Sequence, residues 1–141
     1  LAVMNGVPNS LINRYHKVED VIIANNTFVD CANIQFGVGS DFERTDVPEN
    51  VEFANNLIVN PNSETLFTAL DDISGIRFRN NAVQLKPGVD LPDGFTAINA
   101  KMEKNNHGIS VPSAKEIKSL PATAFEASLA LLRCNTPIAK M

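Results

Sequence analysis

The chain has 141 residues, of which 44% are hydrophobic and 20% are charged, and its formal net charge is −4. This is the composition of an ordinary soluble protein that is long enough to form one core. We expect no nucleic-acid partner, because such binding usually needs a basic surface stripe, and no membrane, because no apolar run approaches the roughly 18 residues that cross one.

The predicted elements are short strands, and one sequence motif occurs three times among them. It reads Val-Ile-Ile-Ala-Asn-Asn-Thr-Phe-Val at 21–29, Val-Glu-Phe-Ala-Asn-Asn-Leu-Ile-Val at 51–59 and Ile-Arg-Phe-Arg-Asn-Asn-Ala-Val-Gln at 76–84, with a weaker fourth copy around Asn105-Asn106. The first Asn of each pair is residue 25, 55, 80 or 105, so the intervals are 30, 25 and 25 residues. A short period without a helical pattern inside the unit predicts a solenoid of strands.

Inside each copy, apolar residues alternate as a strand requires. Val51, Phe53 and Asn55 fall on one face of the second copy, and the third copy repeats the pattern. Asn tolerates left-handed backbone angles, and its amide can bond the equivalent Asn of the next turn. The Asn pairs therefore predict corner ladders of a parallel β-helix, and we assign them no chemistry.

The remaining predicted elements complete the turns of this solenoid. Further strands are expected at 1–4, 33–38 and 64–70. They are separated by a turn at 5–10, a polar insertion at 40–47 and a loop rich in Pro and Gly at 86–94. Insertions in solenoids often lie on the side that binds ligand, so the insertion at 40–47 is the first place to look for a site.

The end of the chain changes character. In the last copy, the register that turns Ala100 and Met102 inward fits best. Beyond it, Ser113 precedes a Glu by three residues, as in a capping box, and 125–132 has a helical spread of apolar residues. We therefore expect about four coils in 1–112 and a helical or irregular cap in 113–141.

The two cysteines give little information. Cys31 and Cys134 lie far apart and have no metal-type spacing with either histidine. Two separate thiols are the simpler interpretation, and a disulfide between them stays open. The cysteine count therefore indicates no redox compartment.

The first part of the chain resembles a known enzyme family. Val-Met-Asn-Gly-Val-Pro-Asn-Ser at 3–10, Asn-Arg-Tyr-His-Lys-Val at 13–18 and Ile-Ala-Asn-Asn-Thr-Phe at 23–28 are similar to segments of polysaccharide lyase family six. That family contains alginate lyases and chondroitinase B, and the likeness is closer to the alginate-cleaving members. It extends over about residues 1–110. The resemblance implies an all-β fold, a right-handed parallel β-helix of the pectin-lyase type.

The resemblance also implies a chemistry. Members of the family cleave uronic-acid polymers by β-elimination, with calcium neutralising the carboxylate, a Lys in a Val-Lys-Ser-type strand as base and an Arg in a Leu-Arg-His-Gly-type strand as acid. Neither motif occurs in this chain, nor does the acidic calcium cluster, so we expect no catalytic residue and no metal ligand here. Because the chain also begins within a strand, we expect it to be the C-terminal portion of a larger β-helix.

For such a segment we expect a structural role and a share of the substrate groove, since grooves on β-helices run along several turns. The expected partner is an anionic polysaccharide, either alginate, polymannuronate above all, or chondroitin or dermatan sulfate. The expected location is the periplasm or the cell exterior, because the polymer does not enter the cytoplasm intact.

Two other functions stay open. One is a non-catalytic β-helix module that binds carbohydrate or serves as structure. The other is a pectin-lyase-like hydrolase, which would need paired carboxylates on adjacent turns. The acidic pair Asp71-Asp72 sits at a turn, so it does not favour the hydrolase.

Arg44 is the first candidate substrate contact. It lies in the polar insertion, where the chondroitin-cleaving member of the family has an Asp-Glu-Arg-Arg segment that contacts anionic sugar. A guanidinium suits two-pronged binding of a carboxylate. The alternative is a solvated loop arginine near Glu43 and Asp41.

Arg14, Tyr15 and His16 are the next candidates. A basic group beside an aromatic ring suits sugar binding, and a histidine can carry protons near neutral pH. The alternatives are a tyrosine that anchors packing and a structural histidine. Asn5 is a further candidate that could bond sugar hydroxyls, and it is equally plausible as a turn residue.

Overall fold

The computed structural model describes residues 1–11, 15–31, 33–108 and 110–113, and all regular structure in these ranges is strand. The strands are β1 (Ala2–Met4), β2 (Ile22–Ala24), β3 (Thr27–Val29), β4 (Gln35–Val38), β5 (Val51–Ala54), β6 (Leu57–Val59), β7 (Thr68–Ala69), β8 (Ile76–Arg79), β9 (Asn81–Gln84), β10 (Phe95–Ala97), β11 (Met102–Lys104) and β12 (Ser110–Pro112). Within the described ranges, no helix has the length and hydropathy to cross a membrane.

Strands from successive repeats pair in parallel and form three sheets. Their orders are β1-β4-β7, β2-β5-β8 and β3-β6-β9-β10. A complete turn contributes one strand to each sheet, as β2, β3 and β4 do, followed by β5, β6 and β7. Equivalent residues of neighbouring repeats are directly paired, with Phe53 opposite Phe78. The predicted parallel β-helix is confirmed.

The corner between the second and third sheets contains the asparagine ladder. Asn26 donates its backbone and side-chain N–H groups to Asn56 Oδ1 at 3.0 and 3.1 Å, and Asn56 donates in the same two ways to Asn81 Oδ1, both at 3.0 Å. The amides of Asn56 and Asn81 also donate to the carbonyls of Ile23 and Phe53, both at 3.0 Å. Since Asn56 and Asn81 are buried, the ladder satisfies polar groups inside the corner.

The predicted Asn ladder is present, but it is formed by the second Asn of each pair, whereas the strand pattern places the first, such as Asn55, on the inward face. The first Asn instead takes the left-handed conformation, with φ of 59° at Asn25, 55° at Asn55 and 53° at Asn80. A left-handed residue interrupts the alternation of the strand, and the inward position passes to its successor. The left-handed conformation thus belongs to the first Asn of each pair, and the ladder hydrogen bonds belong to the second.

Aromatic and β-branched side chains fill the interior, as predicted. The Phe53 ring centre lies 5.8 Å from that of Phe36, 6.1 Å from that of Phe78 and 6.3 Å from that of Phe95. Val51 belongs to the same buried cluster. Stacking of equivalent residues therefore builds one continuous core along the helix axis.

One predicted strand is shorter than expected. The strand predicted at 64–70 is paired only over the two residues of β7. Leu66 and Phe67 precede it and are partly buried against the core. Their apolar pattern therefore reflects packing of an irregular segment rather than a strand.

The fourth copy does not continue the stack, contrary to the prediction of a final coil there. Strand β11, which precedes Asn105, pairs antiparallel with β12. Strand β10 instead extends the third sheet, and its Phe95 stands opposite Asn81, where an apolar side chain ends the ladder. The inward register of Ala100 and Met102 is confirmed, because Ala100 is buried and Met102 packs against the cluster around Leu57.

The predicted cap at 113–141 lies outside the described residues except for Ser113, and so does Cys134. The division into 1–112 and 113–141 therefore stays a prediction. Cys31 is half-buried and forms no disulfide within the described residues.

Candidate functional site

The candidate site is built around the turn that follows β1. Gly6 exchanges two backbone hydrogen bonds with Asp46, at 2.8 and 3.0 Å, and Val7 N–H donates to the Tyr15 carbonyl at 2.7 Å. The turn thus joins the Tyr15 segment to the end of the insertion. A Cβ on Gly6 would lie 2.2 Å from Lys17 N and 2.6 Å from the Tyr15 carbonyl oxygen, so only glycine permits this approach.

Asp41 fixes both the insertion and the Arg44 side chain. Its Oδ1 accepts the backbone N–H groups of Glu43 and Arg44 at 2.9 and 2.7 Å, and its Oδ2 accepts Arg44 Nε and Nη2 at 2.9 and 2.6 Å. The Arg44 side chain above all, and then these backbone bonds, lower the pKa of Asp41 from 3.8 to about 2. The local ion pair considered as the alternative for Arg44 is therefore present.

Arg44 and Tyr15 line one small cleft together with Val7 and Glu43. Its volume is about 140 Å³. Tyr15 is 64% exposed, so its ring does not anchor packing. A guanidinium has five N–H donors and Asp41 takes two, which leaves three of those of Arg44 without a partner among the described residues. The structure thus brings together a cationic and an aromatic side chain that the sequence predicted as separate contacts.

A larger cleft lies beside the Pro- and Gly-rich loop at 86–94. Its volume is about 410 Å³, and its lining includes Val83, Leu85, Leu91 and Ile98. None of the predicted contact residues that the structure describes lines it. This cleft is therefore not connected with any sugar contact that the sequence predicts.

Asn5 is buried next to the Arg44 main chain. It is only 3% exposed, and its Nδ2 donates to Asp71 Oδ2 at 2.7 Å and to the Arg44 carbonyl at 3.3 Å. The expected bond to a sugar hydroxyl does not fit this burial. The structure supports the alternative, in which Asn5 stabilises the turn.

The structure gives no support for a cleft contact by His16 and does not describe Arg14. His16 does not line it, and its Nε2 bonds Glu19 Oε1 at 2.6 Å. Arg14 lies outside the described residues. Sugar contacts by these two residues therefore stay predictions.

Lys17 is a residue of this region that the sequence pattern did not single out. Its side chain is 14% exposed, and its Nζ lies 2.6 Å from Glu49 Oε2 and 3.2 Å from Asp46 Oδ1. The hydrogen bond to Glu49 above all raises the pKa of Lys17. Lys17 thus ties the Tyr15 segment to the end of the insertion. Its position next to Tyr15 and His16 could have marked Lys17 as a candidate from the sequence. Its acidic partners could not be identified in this way, because they are 29 and 32 residues away.

Calcium binding requires a group of oxygen ligands, chiefly carboxylates. Within the ranges that the structure covers, no three His, Cys, Asp or Glu side chains are grouped so that they could hold one metal ion. The carboxylates of Asp41, Glu49 and Asp71 are instead bonded to Arg44, to Lys17, and to Asn5 and Ser40, respectively. We assign no step to calcium in this part of the chain.

Acid is expected to loosen the Arg44 loop between pH 3.8 and about 2. Because folding lowers the pKa of Asp41 over this interval, its carboxylate stabilises the fold above the higher value, and this contribution is lost as the pH falls toward the lower one. Tyrosine emission reports the change, because the chain has one Tyr and no Trp. Asp41→Asn should lack this acid transition, and a wild-type profile identical to that of Asp41→Asn would contradict the assignment.

Comparison with known proteins matches the chain to a family pattern and to solved structures. The chondroitinase B family pattern matches residues 1–126. The structure of a PL6 family alginate lyase, AlyGC, has a TM-score of 0.71 and 43% identity over 89% of this chain and 17% of its own. A mutant of AlyGC has a TM-score of 0.69 and 46% identity over 80% of this chain and 16% of its own. No curated protein sequence matches the chain.

This chain spans about one sixth of the length of the AlyGC structures, 16 to 17%. The family pattern nevertheless covers most of the chain, and a sequence identity of 43 to 46% indicates a common family as well as a common fold. The chain therefore belongs to polysaccharide lyase family six, the family of chondroitinase B and of the alginate lyase AlyGC.

Proposed function

We propose that this chain supplies structure and part of the substrate groove of a polysaccharide lyase that cleaves a uronic-acid polymer by β-elimination. The proposed substrate is alginate, and polymannuronate above all. The observation that carries the proposal is the cleft shared by Arg44 and Tyr15. The likeness to an alginate lyase supports the proposal, because this chain is 43 to 46% identical to that enzyme over most of this chain's length.

Arg44 is the proposed contact for the sugar carboxylate. Asp41 holds one edge of the guanidinium, and the donors that remain can form two parallel bonds to a uronate carboxylate. Glu43 also lines the cleft and repels an anion. Binding therefore depends on the geometry of the free donors of Arg44 more than on an overall positive field.

Tyr15 is the proposed contact for the body of the sugar. Its exposed ring offers an apolar face to the C–H groups of a pyranose, and its hydroxyl both donates and accepts hydrogen bonds. Arg14 and His16 flank Tyr15 in sequence and are proposed to reach the same polymer on either side of it.

In this proposal the chain binds and orients the polymer and carries out no proton transfer. The family's base and acid motifs are absent from its sequence, so those groups and the calcium site would belong to other coils of a longer polypeptide. The chain alone is then expected to be inactive as a lyase. The proposed location is the periplasm or the cell exterior, where the polymer occurs.

A titration of the chain with oligomannuronate tests the binding role. Because Tyr15 is the sole tyrosine and no Trp is present, its emission reports occupancy of the cleft without interference. We expect a saturable change, and Arg44→Gln should weaken binding about tenfold, the effect of one charge-assisted contact. An uncharged glucose oligomer should produce no change.

Arg77→Gln is the matched control. Arg77 lies on β8 and donates to Asn50 at 3.0 Å, outside the cleft, so its loss should leave the titration unchanged. Equal weakening by both substitutions would mean that general charge, rather than the cleft, holds the sugar. Binding by this chain without elimination by any longer form would favour the non-catalytic carbohydrate-binding module.

A further inference from the structure

Asp71 connects separate parts of the candidate site, although it lies on the next turn of the helix, just after β7. Its Oδ2 accepts Ser40 Oγ and Asn5 Nδ2, both at 2.7 Å. Asn5 in turn donates to the Arg44 carbonyl at 3.3 Å. One carboxylate therefore holds the start of the insertion directly and the Arg44 main chain through Asn5.

Asp71 is itself firmly placed. Its Oδ1 accepts the Asp72 N–H at 2.8 Å. Gly37 packs directly against it, since a Cβ on Gly37 would lie 2.8 Å from Asp71 N and 2.9 Å from Asp71 Cβ. The Ser40 hydroxyl above all, then the Asp72 N–H and the Asn5 amide, hold the pKa of Asp71 below its ordinary value, so it is ionised at neutral pH.

Asp41 and Asp71 have different consequences for the cleft. Asp41 belongs to the same loop as Arg44, so their ion pair moves wherever the loop moves. Asp71 lies 31 residues from Ser40 and 66 residues from Asn5 in sequence, and it fixes the loop to the stack of coils. It also does not line the cleft, so it has no place in direct sugar contact.

We propose that Asp71 is a positioning residue that sets the place of Arg44 relative to Tyr15, acting through Ser40 and Asn5. The inference rests on the proposed function of the cleft, and it adds a determinant of affinity that makes no contact with the polymer. Asn5 is thereby given a definite role, as the link between Asp71 and the Arg44 main chain.

Asp71→Ala tests this role, with Asp72→Ala as the matched control. The Asp72 carboxylate bonds only Ser74 among the described residues, to its N–H and its Oγ, both at 2.9 Å. In the tyrosine titration with oligomannuronate, Asp71→Ala should weaken binding about tenfold, whereas Asp72→Ala should stay within about twofold. Unchanged affinity of Asp71→Ala would overturn the proposal.

A double mutant separates positioning from a general loss of structure. If Asp71 acts through Arg44, adding Asp71→Ala to Arg44→Gln should cause no further loss of affinity. Losses that multiply would overturn the proposal, because they would mean that the two residues act independently.

The NMR signal of the Arg44 Nε–H group gives a readout that needs no sugar. Asp71→Ala should shift or broaden it and Asp72→Ala should not, while the buried Asn56 side-chain amide should keep its signal in both variants and show that the ladder is intact. If wild type binds no oligomannuronate, the proposed function fails. The positioning role is then decided by this signal, and an unchanged Arg44 resonance in Asp71→Ala overturns it.

Discussion

Replacing Phe53 by alanine is expected to lower the free energy of unfolding by about 3–5 kcal/mol, measured by urea denaturation followed by far-ultraviolet circular dichroism. Phe53 is 1% exposed and lies at the centre of the aromatic cluster. Removing its ring leaves a cavity between stacked turns, and neighbouring rings on rigid strands collapse into it only in part.

Phe42→Ala is the control for this prediction, because it makes the same chemical change at a side chain that is 89% exposed. It should alter the free energy of unfolding by less than about 0.5 kcal/mol. Similar losses for the two variants would contradict the assignment of the core. Phe53→Leu keeps most of the buried volume and extends the comparison if Phe53→Ala does not fold.

Asn56→Ala is the second large loss, expected to cost about 3 kcal/mol of unfolding free energy in the same experiment. The side chain of Asn56 accepts two hydrogen bonds from Asn26 and donates to Ile23 and Asn81. Alanine would remove the side-chain donor to the Ile23 carbonyl and one of the two donors to Oδ1 of the buried Asn81. Unpaired polar groups in a buried corner cost more than the net gain from forming the bonds.

Asn26→Ala provides the comparison within the same ladder. Asn26 is the exposed end of the described ladder, so water can replace the bonds that its side chain makes, and a loss of about 1 kcal/mol is expected. If Asn56→Ala were no more destabilising than Asn26→Ala, the ladder would not be a source of stability.

The repeat made the parallel stack predictable, because period and alternation fix which residues of successive turns meet. The columns containing Val51 and Phe53 follow from that pattern alone. The identity of the ladder residue did not follow, because a single left-handed residue at Asn55 moves the inward position by one. A pair of identical residues gives no sequence signal for which of them bends and which points inward.

The site was predictable residue by residue but not as an arrangement. Arg44 and Tyr15 were recognisable as residue types suited to an anionic sugar, and Asp41 as a neighbour three positions away. The burial of Asn5 and its bond to Asp71 were not recognisable, because 66 residues separate them. Which residues pair across turns depends on the register of the coils. The polar insertion changes this register, and its length in the sequence does not show by how much.

The most direct test of the account is the KM for alginate of a longer polypeptide that carries this chain behind coils with the family's Lys and Arg motifs. Product formation is followed by the ultraviolet absorbance of the unsaturated sugar. Arg44→Gln should raise KM about tenfold with kcat within about twofold, as expected for loss of a contact made equally before and during reaction. An unchanged KM in Arg44→Gln, or no unsaturated product from the wild type, would contradict the proposal that this segment forms part of a lyase groove.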